Sequence, residues 1–222
     1  LDVVREVHCL VGNVDRTRFK IPPPLGFGYS IDTLLDEFVM PSAVFRRGAF
    51  ASVPALDPRE RLAVRFPAPL GRLQVDTTLH SEVATLPLHF AGRGIREVSF
   101  RQAFEPEFRE RLAFLVKLGL ADTDVLRPGA LPDNGSGMSP RQVLLGLLAR
   151  LPPAVLRGKP VRHEVLRALV IGRKGRRTVR VTADCHAGPR SGGGIGPDID
   201  TGAPPSIAVQ LMLAGTMEIR PG

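Results

Sequence analysis

Tryptophan is absent from this chain, Tyr29 is its only tyrosine, and cysteine occurs twice, at Cys9 and Cys185. Two thiols cannot make a disulfide scaffold or a four-thiolate zinc site, so a reducing compartment and a cytoplasmic location are expected. With so few large aromatics, a stacking platform for single-stranded nucleic acid would fall to phenylalanines alone. Long apolar runs are missing too. Mean hydropathy is +0.04, and no stretch reaches the roughly 18 apolar residues of a membrane span. The opening LDVVREVHCLVG has neither the basic start nor the cleavage site of a signal peptide.

What is present is ordinary in amount and unusual in kind. The 222 residues are 43% hydrophobic and 23% charged, enough for a buried core in one large domain or two small ones. The net charge of +8 comes from 30 basic residues, of which only Lys20, Lys117, Lys159 and Lys174 are lysines. Arginine suits bidentate binding of carboxylate or phosphate. The basic residues are scattered, however, with one cluster at Arg173, Lys174, Arg176 and Arg177. No nucleic-acid partner is expected from so dispersed a footprint.

Periodicity predicts several strands with helices interspersed, without the regular βαβ alternation of a doubly wound fold. The β-branched VVREVHCLVG reads as an opening strand, followed by a proline loop from Ile21 to Gly28. Ser30 caps a predicted helix with Leu34, Leu35, Phe38 and Val39 on one face. From 45 to 104 the pattern turns strand-like. Leu73, Val75, Thr77 and Leu79 alternate there with Arg72, Gln74, Asp76 and Thr78, and Val98 and Phe100 share a face. Glu105-Pro106 and Ser139-Pro140 open two further helices, separated by a loop from Asp122 to Gly137. Two long strands then meet at GRKGRR, whose charges suit a solvated turn. A glycine-rich loop, SGGGIGPDIDTGAPP, leads to a last helix around Ile207 and Leu211, and TMEIRPG reads as a closing strand. The expected fold is α+β, a mixed and largely antiparallel sheet with helices on one face.

Familiar catalytic motifs fail. Gly192-Gly193-Gly194-Ile195-Gly196 has Pro197 where a dinucleotide loop needs its third glycine, and it reads as a surface connection. The five histidines include no HExxH and no i, i+4 pair. In His8-Cys9 and Cys185-His186 adjacent residues point to opposite faces, so no metal site is expected and both cysteines read as small core residues. No GxSxG elbow occurs. The polar cluster Thr78-Leu79-His80-Ser81-Glu82 does stand at a strand end, and histidine is a side chain suited to proton transfer.

Four segments taken in order resemble the saccharopine dehydrogenase family. They are GFGYSIDTLLDEF, LGRLQVDTTLHSEVATLPLHF, VSFRQAFEPEFRERLAFLVKLGL and DTGAPPSIAVQLMLAGTMEIRPG. Arg101 matches a family arginine, while Gln102, Ala103 and Phe104 stand where the family has Tyr-Pro-Gly.

The resemblance implies the substrate-binding and dimerisation domain of an NAD(P)-dependent oxidoreductase acting on a C–N bond of an amino-acid derivative. It implies a fold of the type found in the C-terminal domain of glyceraldehyde-3-phosphate dehydrogenase. The whole of 1–222 would be that one domain, a fragment of a larger enzyme whose NAD or NADP sits in a Rossmann domain outside this chain. The chain alone is then expected to be inactive and to bind no NAD(P); calorimetry giving micromolar affinity would overturn that. Expected partners are an amino-acid-derived small molecule and a second copy in a homodimer, with no membrane. Arg101 would clamp a substrate carboxylate, Tyr29 and Ser30 would line the substrate site, and His80 with Glu82 would manage the nitrogen proton. His80, Tyr29 and Arg101 are expected to converge on one cleft. A non-catalytic interaction module and a basic nucleic-acid binder are the alternatives.

Overall fold

The computed structural model describes residues 1–125, 137–188 and 197–217, with the backbone path alone for 197–201. The β-branched opening forms β1 (Val3–Asp15), a 13-residue strand, and β2 (Phe19–Ile21) follows it before the proline run. Helix α1 (Ile31–Val39) begins where Ser30 Oγ accepts the Thr33 N–H at 3.4 Å. Its buried face is Leu34, Leu35 and Phe38 together with Glu37, while Val39 points to solvent. The turn at Arg47–Gly48 joins β3 (Ser42–Arg46) to β4 (Ala49–Val53), and β5 (Leu62–Arg65) pairs with β6 (Arg72–Thr77).

Next comes α2 (Glu82–His89), a helix that the sequence pattern hides behind Pro87, and then β7 (Glu97–Gln102). Pro106 at the first turn starts α3 (Pro106–Lys117), and Gly119, at φ 79°, follows its end. Ser139 and Gln142 close a reciprocal capping box on α4 (Pro140–Leu148). The two-residue β8 (Val155–Leu156) pairs with β2. The long hairpin β9 (Arg162–Lys174) and β10 (Arg177–Ala187) turns at Gly175, as the GRKGRR stretch predicts. Helix α5 (Pro197–Leu213) runs through Pro204 and Pro205, so the segment expected to be loop up to Pro205 is helical from Pro197. Gly192–Gly196 and most of the expected closing strand lie outside the described residues.

The main sheet has the order β10-β9-β1-β7-β3-β4, with β6 also on β7 and β5 outside β6. Only β1 and β7 run parallel; every other pair is antiparallel among the described residues. This is the mixed, largely antiparallel α+β sheet that the alternation predicts. Val4, Val7, Phe45, Val98 and Phe100 pack under Val83 of α2 on one side. On the other side Leu10, Val75 and Val165 pack with Phe66 and Leu70. Leu34, Leu35, Phe38, Leu112 and Leu144 join α1, α3 and α4 in a third cluster. Burial of such side chains, at about 1.5–3 kcal/mol each, holds β7 between two covered faces.

Candidate functional site

Strand β7 collects the polar chemistry because neighbouring residues on a strand face opposite ways. Val98 and Phe100 pack with Val83 of α2, and Gln102 shares their face, whereas Ser99 and Arg101 look the other way. Register carries the same division onto the flanking strands. Ser99 lies beside His8 of β1, and Arg101 lies beside Leu10 of β1 and Thr77 of β6.

On the Arg101 side the side chains form a continuous network. Ser99 Oγ receives a hydrogen bond from Arg101 Nη1 and lies 2.7 Å from His8 Nδ1. His8 Nε2 is 3.3 Å from Glu6 Oε2. Arg101 Nη2 stands 4.0 Å from Glu60 Oε2, a carboxylate already engaged by two nitrogens of Arg46. Arg101 is only 7% exposed, and its Nε has no hydrogen-bond partner. The Oγ1 atoms of Thr77 and Thr78 are likewise buried and unpartnered. Burial holds the Arg101 guanidinium below its ordinary pKa, against the opposing pull of Glu60. Burial also holds His8 low; the Glu6 hydrogen bond opposes that, and the Arg101 charge adds to it.

A guanidinium has five N–H donors and no acceptor. Arg101 spends one of them on Ser99 and faces no carboxylate at hydrogen-bonding distance. Carboxylate oxygens are the acceptors that a guanidinium's paired N–H groups match in geometry and charge.

The other predicted residues lie across the sheet. His80 stacks on Phe100 with ring centroids 3.8 Å apart and planes 5° apart, and its Nδ1 bonds Glu82 Oε2. Tyr29 OH donates to Glu37 and accepts from Gln102 Nε2 at 3.4 Å. Ser30 caps α1. The expected convergence of His80, Tyr29 and Arg101 on one cleft therefore does not occur. His80 and Tyr29 meet Phe100 and Gln102 on one face of β7, and Arg101 occupies the other.

Two residues of consequence carried no local signal. His8 gains its meaning from Ser99, 91 positions away. Glu37 sits in the apolar stripe of α1, where burial raises its pKa to about 7, opposed by the Tyr29 hydrogen bond and supported by Asp36. Asp76, on the strand face opposite Leu73 and Val75, is 2% exposed and held by Arg61 and Arg109. The cysteines also divide. Cys9 is half-buried, its thiol pushed up to about 11 by burial and by Glu82, whereas Cys185 is exposed rather than in the core. Among the described residues no group of three His, Cys, Asp or Glu side chains is placed to hold a metal ion.

No family model matches the chain. Its fold is similar to that of apo saccharopine dehydrogenase (L-Glu forming) from Saccharomyces cerevisiae, with a TM-score of 0.67 at 14% identity. The likeness covers 98% of this chain and 60% of the yeast chain. At that identity it establishes a shared fold: nearly all of this polypeptide is built like part of a saccharopine dehydrogenase.

Proposed function

We propose that this chain is the substrate-binding and dimerisation domain of a saccharopine-dehydrogenase-like oxidoreductase. The whole protein would use NAD or NADP to act on a C–N bond of an amino-acid derivative. The observation that carries the reading is buried Arg101, with donors left over beside the unpartnered Thr77 hydroxyl. Fold likeness over 98% of the chain supports the class.

Dinucleotide sites of the Rossmann type need a strand feeding a glycine turn and a helix between parallel strands. The one parallel pair among the described residues, β1 and β7, is not linked by such a unit. The described residues therefore do not fit a dinucleotide, and hydride delivery belongs in this proposal to the part of the protein outside this chain. The domain's own share is orientation, with Arg101 fixing a substrate carboxylate. His80 with Glu82, and Tyr29 with Ser30, serve the opposite face, where they hold α2 and α1 in place. The edge strand β10, with Val179, exposed Val181, Ala183 and exposed Cys185 along one face, is the surface proposed for a second copy of the chain.

The test is nicotinamide turnover by the full-length protein, offered an amino acid paired with an oxo acid or aldehyde. Arg101→Gln is expected to raise KM at least tenfold while the protein stays folded. Absence of turnover with every such pair would sink the proposal. So would an Arg101→Gln variant with unchanged KM.

A further inference from the structure

Ser99 Oγ lies between a group that only donates and a ring that does either. Arginine has no acceptor, so Ser99 Oγ accepts from Arg101 Nη1. With His8 neutral, the form its burial favours, the single hydroxyl hydrogen of Ser99 is free to go to His8 Nδ1, 2.7 Å away. That leaves the ring hydrogen on Nε2, facing Glu6 Oε2 at 3.3 Å. A neutral His8 is thereby held in one tautomer.

The chain of bonds runs from solvent inward. Glu6 is partly exposed and His8 less so, while Ser99 and Arg101 are buried. A proton arriving at His8 Nδ1 would turn that atom into a donor. Ser99 Oγ would then accept from both His8 and Arg101, and its own hydrogen would need a new acceptor. A carboxylate held by the Arg101 guanidinium within reach of Ser99 Oγ would supply one. The same carboxylate offsets the positive charge that opposes protonation of His8.

We propose that Arg101 and His8, bridged by Ser99 Oγ, bind a carboxylate ligand and a proton as a coupled pair. The inference rests on the carboxylate reading of Arg101 given above and adds the regulation of that site by pH. The charged groups facing His8 are Glu6 on its own strand and Glu97 and Arg101 on β7, and its register partner on β9 is the apolar Leu169. No covalent bond changes. One proton is taken from solvent onto His8 Nδ1, and one hydroxyl turns.

The experiment uses acetate as the probe, with chloride at equal ionic strength as the comparison, between pH 5.5 and pH 8. Nitrogen-15 spectra read the His8 ring and the Arg101 Nε–H directly, without any assay of activity. The expected result is saturable perturbation of Arg101 Nε–H by acetate and a rise in the His8 pKa on binding. By reciprocity, each unit of that rise makes acetate binding about tenfold tighter at the acid end. Ser99→Ala should keep the Arg101 response and lose its pH dependence. Equal acetate affinity at both ends of the range in the wild-type protein would overturn the coupling while leaving Arg101 as a carboxylate clamp. No response of Arg101 Nε–H to acetate at any pH would overturn both. The wild-type series decides the matter even where Ser99→Ala fails to fold.

Discussion

The hydroxyl of Tyr29 reaches both carboxylate oxygens of Glu37, at 2.9 and 2.8 Å, and this bond ties the segment before α1 to the buried face of the helix itself. Glu37 is 6% exposed and titrates at about 7, above its ordinary 4.5. The folded state therefore holds the Glu37 proton more tightly than the unfolded chain does. The resulting stability is full below about pH 4.5 and is lost as pH rises through 7. At about 1.4 kcal/mol per unit, the loss reaches about 3 kcal/mol by pH 8. Glu37→Gln should remove that slope, unfolding later in urea than the wild-type protein at pH 8. Because Tyr29 is the only tyrosine and tryptophan is absent, intrinsic fluorescence should follow the Glu37 titration in the wild type and stay flat in the variant.

Asp76 is predicted to be the costliest carboxylate to neutralise. It is 2% exposed and receives hydrogen bonds from Arg61 Nε at 3.0 Å and Arg109 Nε at 2.9 Å. It thereby joins β6 to α3. Asp76→Asn leaves two arginines beside a buried neutral amide, and breaking one side of such a cluster costs about 3 kcal/mol or more. Urea unfolding should show that loss, whereas Asp32→Asn, at an exposed end of the Arg141 pair, should lie within about 0.5 kcal/mol of wild type.

Legibility in the sequence followed the range of the interactions. Strand β1, the caps at Ser30 and Ser139, the proline start of α3 and the β9–β10 hairpin are decided by neighbours within a few residues, and each was readable. Helix α2 was not, since Pro87 and three β-branched or small residues mask eight residues that fold because Val83 meets Val98 and Phe100. Alternation reports which face Asp76 takes, not whether Arg109 of α3 and Arg61 ahead of β5 will cover that face. Arg101 was readable as a candidate from its resemblance, but its partners were not. His8, Ser99 and Thr77 come from three strands and meet only through sheet register. The same register separated Arg101 from His80 and Tyr29.

The capping box at the start of α4 is predicted to matter in proportion to its two bonds. Ser139 Oγ accepts from Gln142 N at 3.2 Å, and Gln142 Oε1 accepts from Ser139 N at 2.8 Å. Ser139→Ala should cost about 1 kcal/mol, and Ser139→Asp, which keeps the acceptor, should recover most of it in thermal unfolding.

Two glycines separate crowding from conformational freedom. At Gly172 an added Cβ would stand 2.1 Å from the carbonyl oxygen of Val3, beside the irregularity that shifts the β1–β9 register between Val4 and Glu6. Backbone cannot yield there without opening the longest strand pair of the sheet. Gly172→Ala should therefore cost at least the 1–3 kcal/mol or so typical of overpacking. It should also raise amide exchange along β9. At Gly146, inside α4, an added Cβ meets nothing within 4 Å, so Gly146→Ala should stabilise the protein by about 0.5–1 kcal/mol through helix propensity alone. Denaturant midpoints moving in opposite directions for the two variants would confirm that the β1–β9 contact is limited by backbone approach. A neutral Gly172→Ala would mean that β1 and β9 lie farther apart near Val3 than this register places them.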